Sequence, residues 1–292
     1  MNKEFNKGLL LAGFGSFWWG FFGVLYFKYI TFIGYIELVI HRCLWTTLTL
    51  ILTTFFFSKW DIFFKIIKSK QNLIYLFISG FLIFINWGVW IYAIATNRII
   101  DASFGYFIMP ILSVLLGYIF FKEKLNNKRI FSITLVILSI LYLIFVSLKS
   151  LPWVGIIVAL SWGFYNLVRK KINVDTDIGL LIESLFILPI AVIVFYMIAS
   201  NGYNDFSLSN PSMMLIILLA GPMTVIPLFL YVRGVELCGL GPSGMIFYIT
   251  PTLQFLLGFF YYDEVFSYNK LVSFIIIWIA VIIYLRDLYE TN

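Results

Sequence analysis

The feature that most limits how this chain can fold is the recurrence of apolar stretches of nearly constant length. Ten such runs lie at roughly 8–27, 33–57, 73–95, 101–121, 130–147, 153–169, 178–199, 212–236, 243–261 and 271–286. The hydrocarbon core of a bilayer is crossed by about 20 apolar residues of helix, so each run reads as one crossing. The connections are short, the longest polar ones being 58–72 and 200–211, and none has room for a soluble domain. Only 12% of the residues are charged and 62% are hydrophobic, against about 25% charged in a soluble chain. The sequence therefore predicts an all-α, polytopic membrane protein with ten transmembrane helices in a single domain, 1–292.

The net charge of +6 does not imply nucleic acid, because the basic residues sit in short loops between apolar runs. Lys3, Lys7, Lys59, Lys65, Lys68, Lys70, Lys122, Lys124, Lys128, Arg129, Arg169, Lys170, Lys171 and Arg286 fall on the side of the amino terminus. Lys28, Arg98, Lys149 and Lys270 fall on the other side. By the positive-inside rule this bias predicts a multi-pass inner-membrane protein with both termini cytoplasmic. The first run has no small-residue cleavage site and is followed by further runs, so it reads as a helix and not as a removable signal. Cys43 and Cys238 lie in or beside apolar runs and form neither a metal motif nor a disulfide framework.

The chain also reads as a duplication, with repeat one at about 8–148 and repeat two at about 152–288. Trp19-Gly20-Phe21 recurs as Trp162-Gly163-Phe164, with Lys28 and Lys171 at matching offset. Ser16 with Gly20, and Ala159 with Gly163, are small residues spaced to let helix backbones approach. Pro110, Leu112, Leu115, Leu116 and Gly117 recur as Pro251, Leu253, Leu256, Leu257 and Gly258. Glu123 matches Glu264, and Ser132 matches Ser273. Five crossings per repeat is an odd number, so the second copy would enter the membrane inverted. Inverted repeats are characteristic of secondary transporters, with the substrate near the midplane between them.

Charge inside an apolar run is costly and marks function by default. Glu37, His41 and Trp45 share one helical stripe at i, i+4 and i+8, and Arg42 points about 100° away. This group reads either as a polar site on a substrate path or as an ion pair that locks helices together. Glu183 follows Gly179 much as Glu37 follows Gly34, which suggests that the two carboxylates are repeat partners. Asn86, with Trp87, Trp90 and Tyr92 nearby, reads as a mid-membrane amide facing a pore or gluing two helices. Tyr106 and Tyr248, close before Pro110 and Pro251, are candidates for an aromatic cavity wall, and Gln254 is a weaker one. Pro110, Pro189, Pro222, Pro227 and Pro251 fall inside runs and predict kinks, with Pro110 and Pro251 as paired hinges. Arg233 is expected to extend to the interface, with Glu236 as the alternative partner.

Gly241-Pro242-Ser243-Gly244 has the GxSG form of an intramembrane serine nucleophile, which needs a histidine base in reach. His41, the one histidine, belongs at the opposite face, so a turn into the ninth run explains the motif better. There is no nucleotide-binding loop, HExxH or CxxC sequence, so no cofactor or metal is expected.

With these motifs the chain resembles the RarD family of the EamA-type drug/metabolite transporter superfamily. The resemblance rests on Glu37-x-x-x-His41-Arg42-x-x-Trp45, Asn86-Trp87, Ala102-Ser103-x-Gly105-Tyr106-Phe107-Ile108-x-Pro110, Gly163-Phe164-Tyr165 through Lys171, Leu181-Ile182-Glu183, and Tyr248-Ile249-x-Pro251-Thr252-Leu253. It covers essentially the whole length. It implies a ten-helix carrier that moves small organic molecules without ATP, in a family commonly labelled by chloramphenicol sensitivity. Phe247 stands where the family tends to have glutamine.

The expected function is a secondary transporter of a small organic solute, such as an amino acid or related amphiphilic metabolite or drug, with proton coupling as an option. Glu37, His41, Arg42, Trp45, Asn86, Trp90, Tyr106, Tyr248 and Glu183 are the candidate binding or coupling residues. The competing classes are a membrane-embedded enzyme of lipid or peptide metabolism and a channel. The expected partners are the solute and the lipid bilayer.

Overall fold

The computed structural model describes residues 3–96, 99–147, 153–172, 174–206, 211–261 and 268–291, and among these every regular element is helical. Arg98, Lys149 and Glu264, used in the sequence argument, lie outside the described residues, as do the side chains of Ala102, Ser103 and Lys270. The chain runs as α1 (Lys3–Trp18), one stretch of π-helix (Trp19–Gly23) and α2 (Val24–Tyr29), then α3 (Tyr35–Phe56), α4 (Trp60–Ile67), α5 (Lys70–Ala95), α6 (Ile99–Phe121) and α7 (Asn127–Ser147). It continues with α8 (Trp153–Lys171), α9 (Thr176–Ser200), α10 (Pro211–Leu218), α11 (Ala220–Cys238), α12 (Leu240–Ile246), α13 (Ile249–Phe260) and α14 (Tyr268–Thr291).

Seven helical stretches among the described residues are long and apolar enough to cross a membrane: Lys3–Tyr29, Tyr35–Phe56, Lys70–Ala93, Asn127–Val146, Thr176–Ser200, Pro211–Cys238 and Leu271–Glu290. The remaining expected runs are helical but fall short by that measure. α8 carries Arg169, Lys170 and Lys171 in its last turn. The run at 243–261 is broken between α12 and α13. In α6 the shorter stretch Gly105–Phe121 is apolar.

The distribution of polarity is that of a protein in lipid. Large apolar side chains cover the outside, as at Leu10, Phe14, Phe56, Phe145 and Ile282, while Glu37, Arg42, Arg169, Glu183 and Asp287 are buried. α1 packs on α11, and α5 on α8. α3 packs on α9 and α11, α5 also on α9, α6 on α8 and α12, and α7 on α14. Glycines allow the closest of these crossings. A Cβ at Gly15 would lie 2.8 Å from the Pro227 carbonyl oxygen on α11, and one at Gly234 would lie 2.7 Å from the Ala12 nitrogen on α1.

The structure differs from expectation locally. The connection 58–72 contains α4, whose Ile66 is buried in a small core with Ile172, Val174 and Ile178, while Lys59 pairs with Asp177 at 2.6 Å. Eight residues among lysines leave little periodic signal. Pro110 and Pro189 sit within continuous helices, as does Pro227. Pro222 and Pro251 instead occupy the first turns of α11 and α13, where a missing N–H breaks no internal bond. The two expected hinges thus have different backbones: α6 runs through Pro110, whereas the chain breaks at Phe247–Tyr248 just before Pro251.

Candidate functional site

The stripe on α3 forms one hydrogen-bonded column. Trp45 Nε1 donates to His41 Nδ1 at 3.1 Å, and His41 Nε2 lies 3.1 Å from Glu37 Oε1. The indole N–H can only donate, so Nδ1 is the acceptor and the proton on the ring sits on Nε2. That makes His41 a neutral imidazole donating to a Glu37 carboxylate. Glu37 also accepts from the backbone N–H of Asp205, at 2.9 Å to each oxygen, and from that of Phe206 at 3.1 Å. Phe206 lies tilted against His41 and Trp45, with centroids 4.9 and 5.4 Å away, and Phe195 of α9 closes on His41 at 5.2 Å. The column therefore clamps the segment after α9 onto α3.

Arg42 leaves that column and enters a cavity. It is buried, with its guanidinium carbon 4.6 Å from the Trp87 ring, 4.8 Å from Phe27 and 5.8 Å from Trp90. Its Nε donates to Thr224 Oγ1 of α11 at 3.1 Å. Asn86, Tyr106, Trp162, Phe247, Thr250 and Gln254 also face this cavity. Asn86 spends both amide hydrogens on α8, donating to the Val158 carbonyl at 3.0 Å and to Ser161 Oγ at 3.1 Å. Its carbonyl oxygen remains as an acceptor.

Glu183 sits in neither place. Its Oε1 accepts from Ser79 Oγ of α5 at 2.5 Å, and its Oε2 accepts from the Tyr165 hydroxyl of α8 at 3.2 Å. Arg169 Nη1 lies 3.5 Å from Glu183 Oε1, and Arg169 Nη2 lies 3.6 Å from Glu236 Oε1 of α11. Arg233 pairs with Glu236 at 2.9 Å and does not simply extend outward as expected. This is a knot of four helices. Glu123 adds a further tie, accepting from the N–H of Leu240 and of Gly241, each at 2.8 Å, at the start of α12.

Of the residues singled out in the sequence, Arg42, Asn86, Trp87, Trp90, Tyr106 and Gln254 share the cavity. Glu37, His41 and Trp45 form the clamp, and Glu183 belongs to the knot. Tyr248 is buried away from the cavity and donates to the Phe107 carbonyl at 2.9 Å. Ser243 spends its hydroxyl on the carbonyl of Gly239 at 2.6 Å, as a turn residue would. Among the cavity residues that were not site candidates in the sequence are Trp19, Phe27, Trp162 and Phe247. A signal for Phe247 was present: Phe107 and Tyr248 are 141 residues apart, as are Pro110 and Pro251. The same step from Tyr106 arrives at Phe247, not Tyr248.

Residues 6–145 match the EamA-like transporter family. An uncharacterized transporter of Bacillus subtilis (strain 168), YojE, is 33% identical over 97% of this chain and 95% of its own. Protein RarD of Escherichia coli (strain K12) is 32% identical over 99% of this chain and 97% of its own. An uncharacterized transporter of Vibrio cholerae is 33% identical over 98% and 94%. A solved crystal structure superposes with a TM-score of 0.71 over 96% of this chain and 97% of its own at 12% identity, which shows a shared fold. With identities of about a third along nearly the whole of both chains, the protein belongs to the RarD branch of the EamA-like transporter family.

Proposed function

We propose that the protein is a secondary transporter that carries a small organic solute across the inner membrane by alternating access, its cavity lying between two inverted repeats of five crossings each. One observation carries this reading: residues at matching positions of the two repeats meet one another at the cavity and beside it. Trp19 touches its counterpart Trp162 at 5.0 Å between centroids, and Tyr106 lies 5.9 Å from Phe247. Phe107 accepts the hydrogen bond of its own counterpart, Tyr248. Residues meet their own copies only near a two-fold axis. The contacts of small residues follow the same rule. A Cβ on Gly20 would press on Leu253, and one on Gly163 would press on Leu112, the matching residue of the other repeat.

Helix packing supports the reading as well. Exchanging the repeats turns the contact of α1 with α11 into that of α8 with α5, and that of α3 with α11 into that of α9 with α5. The pairs α3 with α9 and α7 with α14 map onto themselves. In this reading the cavity lies nearer the outer end and the clamp of Glu37 closes that end from the side. The knot at Glu183 and the Glu123 tie hold the inner end shut. Proton coupling then acts at the clamp: a protonated Glu37 accepts fewer hydrogen bonds and releases the segment of Asp205 and Phe206.

Reporter fusions test the frame. Reporters at Lys65 and at the carboxyl terminus are expected to read cytoplasmic and one at Tyr203 external. Opposite compartments for the first two would defeat the inverted repeat. Counterflow of labelled solute in proteoliposomes then separates a carrier from a channel.

A further inference from the structure

We infer that the cavity takes an organic anion, a carboxylate on a flat apolar body, with Arg42 as its anchor. The inference deepens the transporter reading and rests on it only for the solute's origin. It starts from a contrast among buried arginines. Arg129 Nε lies 2.8 Å from Asp287 Oδ2, and Arg169 lies between Glu183 and Glu236. Arg42 is only 4% exposed, yet no carboxylate among the described residues pairs with it. Its Nε is used by Thr224, and its two terminal nitrogens make no hydrogen bond among the described residues.

A buried guanidinium without a counter-charge is unfavourable, and elsewhere this chain supplies one. Aromatic faces at Phe27, Trp87 and Trp90 hold the Arg42 plane without neutralising it. What remains is a planar fork of donors at a cavity wall, the geometry that takes a carboxylate in two parallel hydrogen bonds.

The rest of the wall narrows the class. Arg42 is the one charged side chain among the described residues lining the cavity. An amine would meet no carboxylate among the described residues there and would be repelled by Arg42, so a cation or a zwitterion fits less well than a net anion. Trp19, Trp162, Tyr106 and Phe247 offer flat faces, which suit a body that carries an aromatic ring. The Asn86 carbonyl oxygen, left over after its two donations to α8, asks for a hydroxyl or N–H on that body.

The test is calorimetric titration of the purified full chain in detergent with a matched set: 3-(4-hydroxyphenyl)propionate, its primary amide, tyramine and phenyl phosphate. The acid is expected to bind at least about tenfold more tightly than the amide, the size of a charge-assisted hydrogen-bond pair, and tyramine is expected not to compete. Phenyl phosphate binding as tightly as the acid would overturn the carboxylate assignment in favour of phosphate esters. Equal affinity for the amide or tyramine would overturn the proposal, as would no heat from the acid up to about 10 mM, far weaker than useful binding. Arg42→Gln is expected to lose acid binding. Should that variant not fold, Arg42→Lys, which keeps the charge without the fork, is expected to bind the acid about tenfold more weakly, and unchanged affinity in either variant would refute the anchor. Acid binding without vectorial movement in proteoliposomes would retire the transporter reading and leave this one standing. Counterflow of a cation with no acid binding would do the reverse.

Discussion

Glu37 and Glu183 are each a buried carboxylate in the first half of its helix, and they are held in opposite ways. Glu37 is satisfied locally, by a histidine one turn along its own helix and by two backbone N–H groups of a single connecting segment. Glu183 is satisfied globally, by side chains of α5 and α8 and by an arginine that reaches on to α11. The first can be undone by lifting one segment, and the second only by parting helices. The knot is also less complete. Arg169 Nε and Nη1 and Glu236 Oε1 are buried without hydrogen-bond partners, whereas neither oxygen of Glu37 is. Two buried carboxylates thus carry different mechanical duties.

The comparison can be broken most forcefully at the knot. Removing one partner of a buried ion pair strands the other charge, typically about 3–5 kcal/mol. Glu183→Leu is therefore expected to destabilise the protein by about that much in a denaturant titration, and adding Arg169→Met is expected to recover a large part of it. A single Glu183→Leu variant as stable as the parent would mean that the knot does not lock the helices.

At the clamp the effect is smaller and local. Glu37→Ala removes hydrogen bonds to Asp205 and Phe206 and is expected to cost about 1–3 kcal/mol. Hydrogen exchange is expected to quicken at those two amides while the α5–α8 contact stays protected. Loss of protection throughout the bundle would place Glu37 in the same category as Glu183. The finest distinction is functional. Glu37→Gln is expected to retain solute exchange down a gradient but to lose accumulation driven by an imposed pH gradient. Uptake into proteoliposomes with and without that gradient reads this directly, and intact accumulation would move proton coupling elsewhere, with Glu183 tested next.

Much of this was legible in the sequence, and the exceptions have physical causes. Helix class followed from run length, and Arg42 and Glu183 were marked as buried charge because nothing else places an ion in an apolar run. Their partners were not legible. Thr224 is 182 residues from Arg42, and Ser79 is 104 from Glu183. The amides that hold Glu37 belong to the backbone, which every residue has, so Asp205 and Phe206 carry no sequence mark. The stripe rule joined Glu37, His41 and Trp45 correctly but could not say which neighbour the stripe faces. Tyr248 attracted notice by residue type, while the 141-residue spacing that joins Phe107 to Tyr248 points from Tyr106 to the less conspicuous Phe247.

The π-helical stretch at Trp19–Gly23 sets the phase of the first crossing. Trp19, Gly23 and Phe27 all line the cavity, the last eight steps along the chain from the first. In an unbroken α-helix, eight steps would leave Trp19 and Phe27 about 80° apart around the axis. A π turn absorbs one additional residue and takes back about 100°, which brings the two rings to within about 20° of each other. The extra residue acts as an angular correction: the half of the crossing that grips α11 through Gly8 and Gly15 keeps its own azimuth, and the half beyond it is turned so that aromatic rings and not their neighbours look onto the solute path.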